Sequence, residues 1–215
     1  MQRIAVIDYG MGNLHSVSKA VEHVAPDDEV IVTDDESIIR AADKIVCPGQ
    51  GAAADCMAAI HEHGLAILLK EIVSTRPFLG ICMGYQVLFD HSEENGGVDC
   101  LGIVPGKVRR FASPLVSTSG ERLKVPHMGW SKVNQATDHP LWQGIANQSR
   151  FYFAHSYYCM PDTDVSVSGY CDYGQDIAVS VAQEHIFACQ FHPEKSADNG
   201  LRLLQNFVQW DGSPG

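Results

Sequence analysis

The sequence predicts an α/β fold of three layers, a mostly parallel central sheet with helices on both faces and antiparallel strands added in its second half. Short apolar runs alternate with helically spaced segments through the first half, and past about Gly102 the pattern turns strand-like, with turn residues between the runs. Size agrees. At 215 residues, 45% hydrophobic and 19% charged, the chain can bury one sizeable core without metals or disulfides and reads as a single domain over 1–215.

Taken in order, Ile4 to Ile7, Val30 to Thr33, Lys44 to Cys47 and Phe78 to Ile81 are runs too short for helices and apolar throughout, as expected of parallel strands covered on both faces. Asn13 to Val24 and Ala52 to Ile60 carry apolar residues at helical spacing between them. In the second half Val133, Phe151 to Tyr158, Val165 to Tyr170 and Ile177 to Val181 read as strands, parted by Gly, Pro, Asn and Asp. A closing helix over Asp198 to Trp210 places Leu201, Leu204, Phe207 and Val208 on one face. No repeat, low-complexity tract or linker interrupts the series.

The composition excludes several classes of function. A net charge of -11, with 15 Lys and Arg spread widely, argues against a nucleic-acid partner; the one dense basic run, Lys107-Val108-Arg109-Arg110, reads as a solvated strand or loop. No apolar stretch approaches the ~20 residues that span a bilayer, so no membrane partner is expected. The chain opens directly in a strand, without the pattern of a signal peptide. Seven cysteines, at 47, 56, 82, 100, 159, 171 and 189, form no C-x-x-C pair. A reduced, cytoplasmic setting without a metal follows, and His61 and His63, two apart on a helix, face different ways.

Chemistry concentrates around Pro77-Phe-Leu-Gly80-Ile-Cys82-Met83-Gly84-Tyr-Gln86, a buried strand running into a helix with glycines two residues either side of a cysteine. That is the spacing of a nucleophile elbow, where side chains at the flanking positions would strike the neighbouring strand and helix. At a helix start the sulfur meets oriented N–H groups and the positive end of the dipole, which favours the thiolate. Alone, the motif also fits a buried structural cysteine or a cysteine peptidase.

A base is available in Cys189-Gln-Phe-His192-Pro-Glu194-Lys-Ser196, directly after an apolar strand. His192 can take and return a proton while Glu194 orients its ring. Oxyanion donors are expected from Cys47-Pro48-Gly49-Gln50-Gly51, where the third strand ends, joined by the Met83 N–H. A plain turn accounts for that loop equally well.

Together these segments resemble the class I, triad-type glutamine amidotransferases, through G-I-C-M-G-Y-Q around Cys82 and F-H-P-E around His192. Asp8-Tyr-Gly-Met-Gly-Asn-Leu14, Lys124-Val-Pro-His-Met128-Gly-Trp130 and Phe151-Tyr152-Phe-Ala-His-Ser156-Tyr157-Tyr158 narrow the resemblance to the HisH family, the glutaminase subunits of imidazole glycerol phosphate synthase. It implies Cys82 as nucleophile through a γ-glutamyl thioester, His192 as base and acid, Glu194 as orienter, and Gln86, Glu94, Ser156 and Tyr157 around the substrate glutamine. It further implies no cofactor, and a (β/α)8-barrel cyclase partner that receives ammonia and is met at Met128, Trp130 and Tyr152. In histidine biosynthesis such a pair makes imidazole glycerol phosphate and an aminoimidazole carboxamide ribonucleotide. Ser131, where Asn often follows the Gly-Trp pair, and the variable Gln50 depart from the family pattern.

Overall fold

Alternate residues of the first strand, β1 (Arg3–Ile7), belong to two different cores. Ala5 and Ile7 pack in a cluster with Ile39, Cys56, Ile60 and Leu69; Ile4 and Val6 pack in another with Val17, Val21, Leu204 and Phe207. A strand whose successive side chains are all buried must lie inside a sheet covered on both faces, because those side chains point to opposite sides. The structure, a computed structural model, describes residues 1–117, 119–163 and 165–213.

On one face lie α1 (Leu14–Val24) and α6 (Ala197–Gln209), on the other α2 (Glu36–Ala41), α3 (Ala53–Glu62) and α4 (Leu65–Ile72). With β2 (Glu29–Thr33), β3 (Lys44–Cys47), β4 (Phe78–Ile81) and a later strand, β11 (Ile186–Cys189), the parallel part runs β2-β1-β3-β4-β11. Antiparallel pairing then carries it through β10 (Asp176–Gln183), β8 (Tyr157–Pro161) and β5 (Gly106–Arg110), with β9 (Val167–Asp172) also on β10. A separate antiparallel ribbon joins β6 (His127–Lys132) to β7 (Arg150–His155).

The expected α/β architecture is present, and the differences are local. Phe151 to Tyr158 is two strands broken at Ser156, where the chain leaves the ribbon for the main sheet. Val133 is buried but lies between strands. On α6 the expected Leu204, Phe207 and Val208 are buried, while Leu201 is only half-buried and Leu203 completes the face. Helices α2 and α4 carry no prediction in the sequence reading. α2 starts because Asp35 accepts from the Ser37 and Ile38 N–H groups, at 2.7 and 3.3 Å. The basic run lies in β5 with Lys107, Arg109 and Arg110 in solvent.

Because β1, β3, β4 and β11 are parallel, the segments after them, 8–13, 48–52, 82 and 190–196, emerge at one edge of the sheet. Clefts at the carboxyl ends of such strands are where α/β sheets bind ligands.

Candidate active site

Cys82 leaves β4 with φ 57° and ψ −106°, a conformation that burdens any residue with a β-carbon and persists only where its surroundings impose it. The glycines beside it explain how. A β-carbon on Gly84 would stand 1.8 Å from the Cys47 carbonyl oxygen, and one on Gly80 would stand 2.6 Å from the Gly84 oxygen. Strand, turn and helix therefore close on each other with no room for a side chain, and the sulfur is carried to the sheet edge. The following helix, α5 (Met83–Gln86), is a single turn, so its dipole contributes less to the thiolate than the sequence suggested.

His192 and Glu194 follow β11, hydrogen-bonded to β4, so the sheet itself brings them beside Cys82. His192 Nδ1 is 2.9 Å from Glu194 Oε1, and a carboxylate only accepts, so Nδ1 carries hydrogen and Nε2 is left free to exchange a proton. Burial disfavours the charged ring, but hydrogen bonding to Cys82 and Glu194 and their charges outweigh it and raise the His192 pKa to about 10. Glu194 Oε2 is buried without a partner. The turn is braced from the ribbon: the His192 N–H donates to the Tyr152 carbonyl at 2.9 Å, and Ser196 Oγ accepts from the Tyr152 N–H and donates to the His192 carbonyl.

The loop expected to supply oxyanion donors turns its carbonyls inward. The Met83 N–H is not free to face a ligand, because it donates to the Gly49 carbonyl at 3.4 Å. Neighbouring carbonyls are also held: Pro48 by the buried Tyr9 hydroxyl at 2.8 Å and Gln50 by the Cys56 thiol at 3.5 Å. Three consecutive carbonyls of the loop thus face donors inside the protein. Gly49 is confined as well, since a β-carbon there would lie 2.2 Å from Tyr9 Oη. Gly49, Gln50 and Met83, the residues expected to donate to an oxyanion, are adjacent, and the Gly49 carbonyl occupies the Met83 N–H.

A cavity of about 280 Å³ opens over the sulfur, lined among others by Gln50, Cys82, Gln86, Glu94, Ser156 and Tyr157. All four residues expected around a substrate therefore reach it. Glu94 is steadied by the Ala53 N–H, 2.7 Å from Oε2, at the start of α3. Gln86 donates through Nε2 to Tyr157 O at 3.2 Å and Gln190 Oε1 at 2.8 Å, while its Oε1 is buried without a partner. Gln190, which sequence reasoning passed over, places its Nε2 3.8 Å from Cys82 Sγ. Its position one residue past an apolar strand and two before His192 was the available signal.

Met128 and Trp130 are exposed on β6, and Trp130 faces Tyr152 across the ribbon with ring centroids 6.0 Å apart. The ribbon's other side is buried. There Ser131 Oγ lies 2.8 Å from His127 Nε2, His127 Nδ1 lies 2.9 Å from His155 Nε2, and His155 Nδ1 lies 2.7 Å from Tyr157 O. Burial lowers the His127 pKa to about 4 and that of His155 to about 3. Burial raises the thiols of Cys47, Cys56 and Cys171 to about 12 and that of Cys100 to about 11, and those of Cys159 and Cys189 well above their usual range.

Residues 5–210 match the family model for glutamine amidotransferase class-I. The chain is 57% identical over 212 residues to the imidazole glycerol phosphate synthase subunit HisH of Pseudomonas putida, covering 99% of each chain. It is 56% identical over 212 residues to subunit HisH 1 of Pseudomonas aeruginosa, again covering 99% of each. Among solved structures it superposes on a glutamine amidotransferase with a TM-score of 0.72 at 17% identity, covering 96% of this chain and 97% of that one. PurLQS from Thermotoga maritima gives a TM-score of 0.69 at 17% identity, covering 97% and 99%.

Proposed function

The chain belongs to the class-I glutamine amidotransferases and, among them, to the HisH subunits of imidazole glycerol phosphate synthase, and from that premise we propose how its site works. It is the glutamine amidotransferase subunit of that synthase, an enzyme of histidine biosynthesis. The observation that carries the mechanism is a cysteine on a strained elbow beside an imidazole whose far nitrogen is fixed by a buried carboxylate.

Cys82 Sγ attacks the side-chain carbonyl carbon of glutamine, forming a C–S bond and an oxyanion. His192 passes its proton to the amide nitrogen, the C–N bond breaks, and ammonia leaves a γ-glutamyl thioester. His192 then takes a proton from water, whose oxygen attacks the thioester; the C–S bond breaks, glutamate departs, and the proton returns to the Cys82–His192 pair. Glu194 holds the His192 ring throughout, through the bond from Nδ1. The unpartnered Gln86 Oε1 and the Glu94 carboxylate, both on residues lining the cavity, suit the ammonium group of glutamine, with Ser156 and Tyr157 closing the remaining wall.

Ammonia freed into neutral water is protonated and stops being a nucleophile, so the product has to be handed on under cover. The exposed apolar pair Met128 and Trp130, with Tyr152 beside them, suits a cyclase subunit docked over the cavity, a (β/α)8 barrel by family resemblance, in a cytoplasmic heterodimer. The bracing of His192 by the Tyr152 backbone links that surface to the base. Full rate requires the Gly49–Gln50 peptide to turn, releasing the Met83 N–H and bringing in the Gln50 N–H; one oxyanion donor is worth about 100- to 1,000-fold in rate. Partner binding biases that turn.

The test is glutamate release from glutamine by the purified chain, alone and with a histidine-pathway cyclase and its nucleotide ligand. Stimulation of about 100-fold is expected. Activity without stimulation would assign the chain to another synthase, and inactivity in both conditions would remove the glutaminase.

A further inference from the structure

Two hydrogen-bond chains meet on one atom, the Tyr157 carbonyl oxygen, which accepts from His155 Nδ1 at 2.7 Å and from Gln86 Nε2 at 3.2 Å. A backbone carbonyl only accepts, so both neighbours must present hydrogen to it, and the polarity of each chain follows outward. Toward the ribbon, His155 Nε2 is then an acceptor, His127 donates to it through Nδ1, and Ser131 donates its hydroxyl to His127 Nε2. Toward the sulfur, the amide of Gln86 cannot be turned over without setting oxygen against oxygen. Its Nε2 therefore also faces Gln190 Oε1 at 2.8 Å, and the remaining end of Gln190, an NH₂ group, faces Cys82 Sγ at 3.8 Å.

We infer that Gln190 is a catalytic residue, its side-chain amide donating a hydrogen bond to the Cys82 sulfur and stabilising the thiolate, and that Gln86 is the positioning residue that fixes this polarity. Both glutamines are buried, at 1% and 3% exposure, so water does not compete for the amide. The backbone holds Gln190 in place: its N–H donates to the Val179 carbonyl at 2.8 Å, extending the pairing of β10 with β11. A thiol is a weak acceptor and a thiolate a strong one, so this donor favours the charged form selectively. When the thioester forms, the sulfur loses its charge and the bond weakens. When water resolves the thioester, the bond strengthens again as sulfur leaves, so the same N–H assists departure from carbon.

The inference rests on Cys82 being the nucleophile, and a separate control keeps the two apart: Cys82→Ala must abolish glutamine hydrolysis, whatever Gln190 does. The deciding measurement is the rate of Cys82 alkylation by iodoacetamide as a function of pH on the full chain, read by peptide mass mapping. Gln190→Leu is expected to move the midpoint of that profile up by about one pH unit and, with the cyclase present, to lower kcat about tenfold near neutral pH with KM little changed. Gln86→Leu frees the amide to rotate and is expected to give a smaller shift in the same direction. Gln190→Glu keeps the shape and the bond from Gln86 but turns an acceptor toward sulfur, so it should shift the midpoint further than leucine does, and it serves if the leucine variant does not fold. An unchanged alkylation profile in a folded Gln190 variant overturns the assignment.

Discussion

Cys82 carries its sulfur on a backbone that glycine would adopt at less expense, and stability and activity are therefore opposed at this one residue. Cys82→Ala should lower glutamine hydrolysis by about four orders of magnitude or more, as for other nucleophiles removed from a triad, with the fold retained. Cys82→Gly is equally inactive but should be more stable than Cys82→Ala by about 1 kcal/mol, the released strain less the entropy of a glycine in the unfolded chain. Urea titrations of the two variants check this, and equal midpoints would mean that the elbow stores no strain. The elbow was legible in the sequence because its glycines are required by contact with Cys47 and with each other. Gln190 was not, because an amide gains its role only from the atom it faces. The bond from the Met83 N–H to the Gly49 carbonyl was also out of reach, since no sequence pattern says which way the Gly49 peptide points.

Among the elements, the ribbon of β6 and β7 and the helix α6 differ in what they hold. Trp130 is 48% exposed, so Trp130→Ala should change the stability of the isolated chain by less than about 1 kcal/mol while weakening cyclase binding by about 2 kcal/mol or more, a loss of roughly 30-fold. Calorimetric titration with the cyclase and a thermal melt of the chain alone separate the effects. α6 is pinned instead by Asn206, whose Nδ2 donates to Leu141 O at 3.0 Å and Gln143 O at 2.8 Å. Asn206→Leu leaves those carbonyls without their donor and should destabilise the fold by about 1–3 kcal/mol in urea, without touching the site. The parallel strands could be read in advance because burial on both faces makes them apolar throughout. The ribbon could not be separated from the sheet, since a lone serine, Ser156, is too weak a turn signal to break the aromatic run from Phe151 to Tyr158 where the chain changes sheets.

For the molecule as a whole, acid is the sensitive direction. Burial depresses His127, His139 and His155 to about 4, 4 and 3 from the ordinary 6.5, so the unfolded chain takes up protons that the folded chain refuses. Their contribution is complete above 6.5 and is lost as pH falls below it; between about pH 7 and 5.5 each should lose roughly 1 kcal/mol, about 3–4 in all. His192 has the opposite sign: raised to about 10, it supports the fold below 6.5 and loses that support as pH rises through 10. Urea midpoints measured across the acid range should fall accordingly, and His139→Gln, away from the site, should flatten the slope by about a third. The layered architecture was legible as a whole because it needs only the rhythm of apolar runs, whereas these buried imidazoles are settled by packing between distant strands. The seven free cysteines give the molecule one more property. Six of them are held as thiols by burial, and peroxide oxidises thiolates, so among the cysteines Cys82, beside the His192 imidazole, is the one left open to oxidation. Mild peroxide should silence the glutaminase while leaving the fold intact, and a reductant should restore it until the sulfur passes the sulfenic stage. Nitrogen supply to the pathway is thereby exposed to the redox state of its surroundings at a single atom.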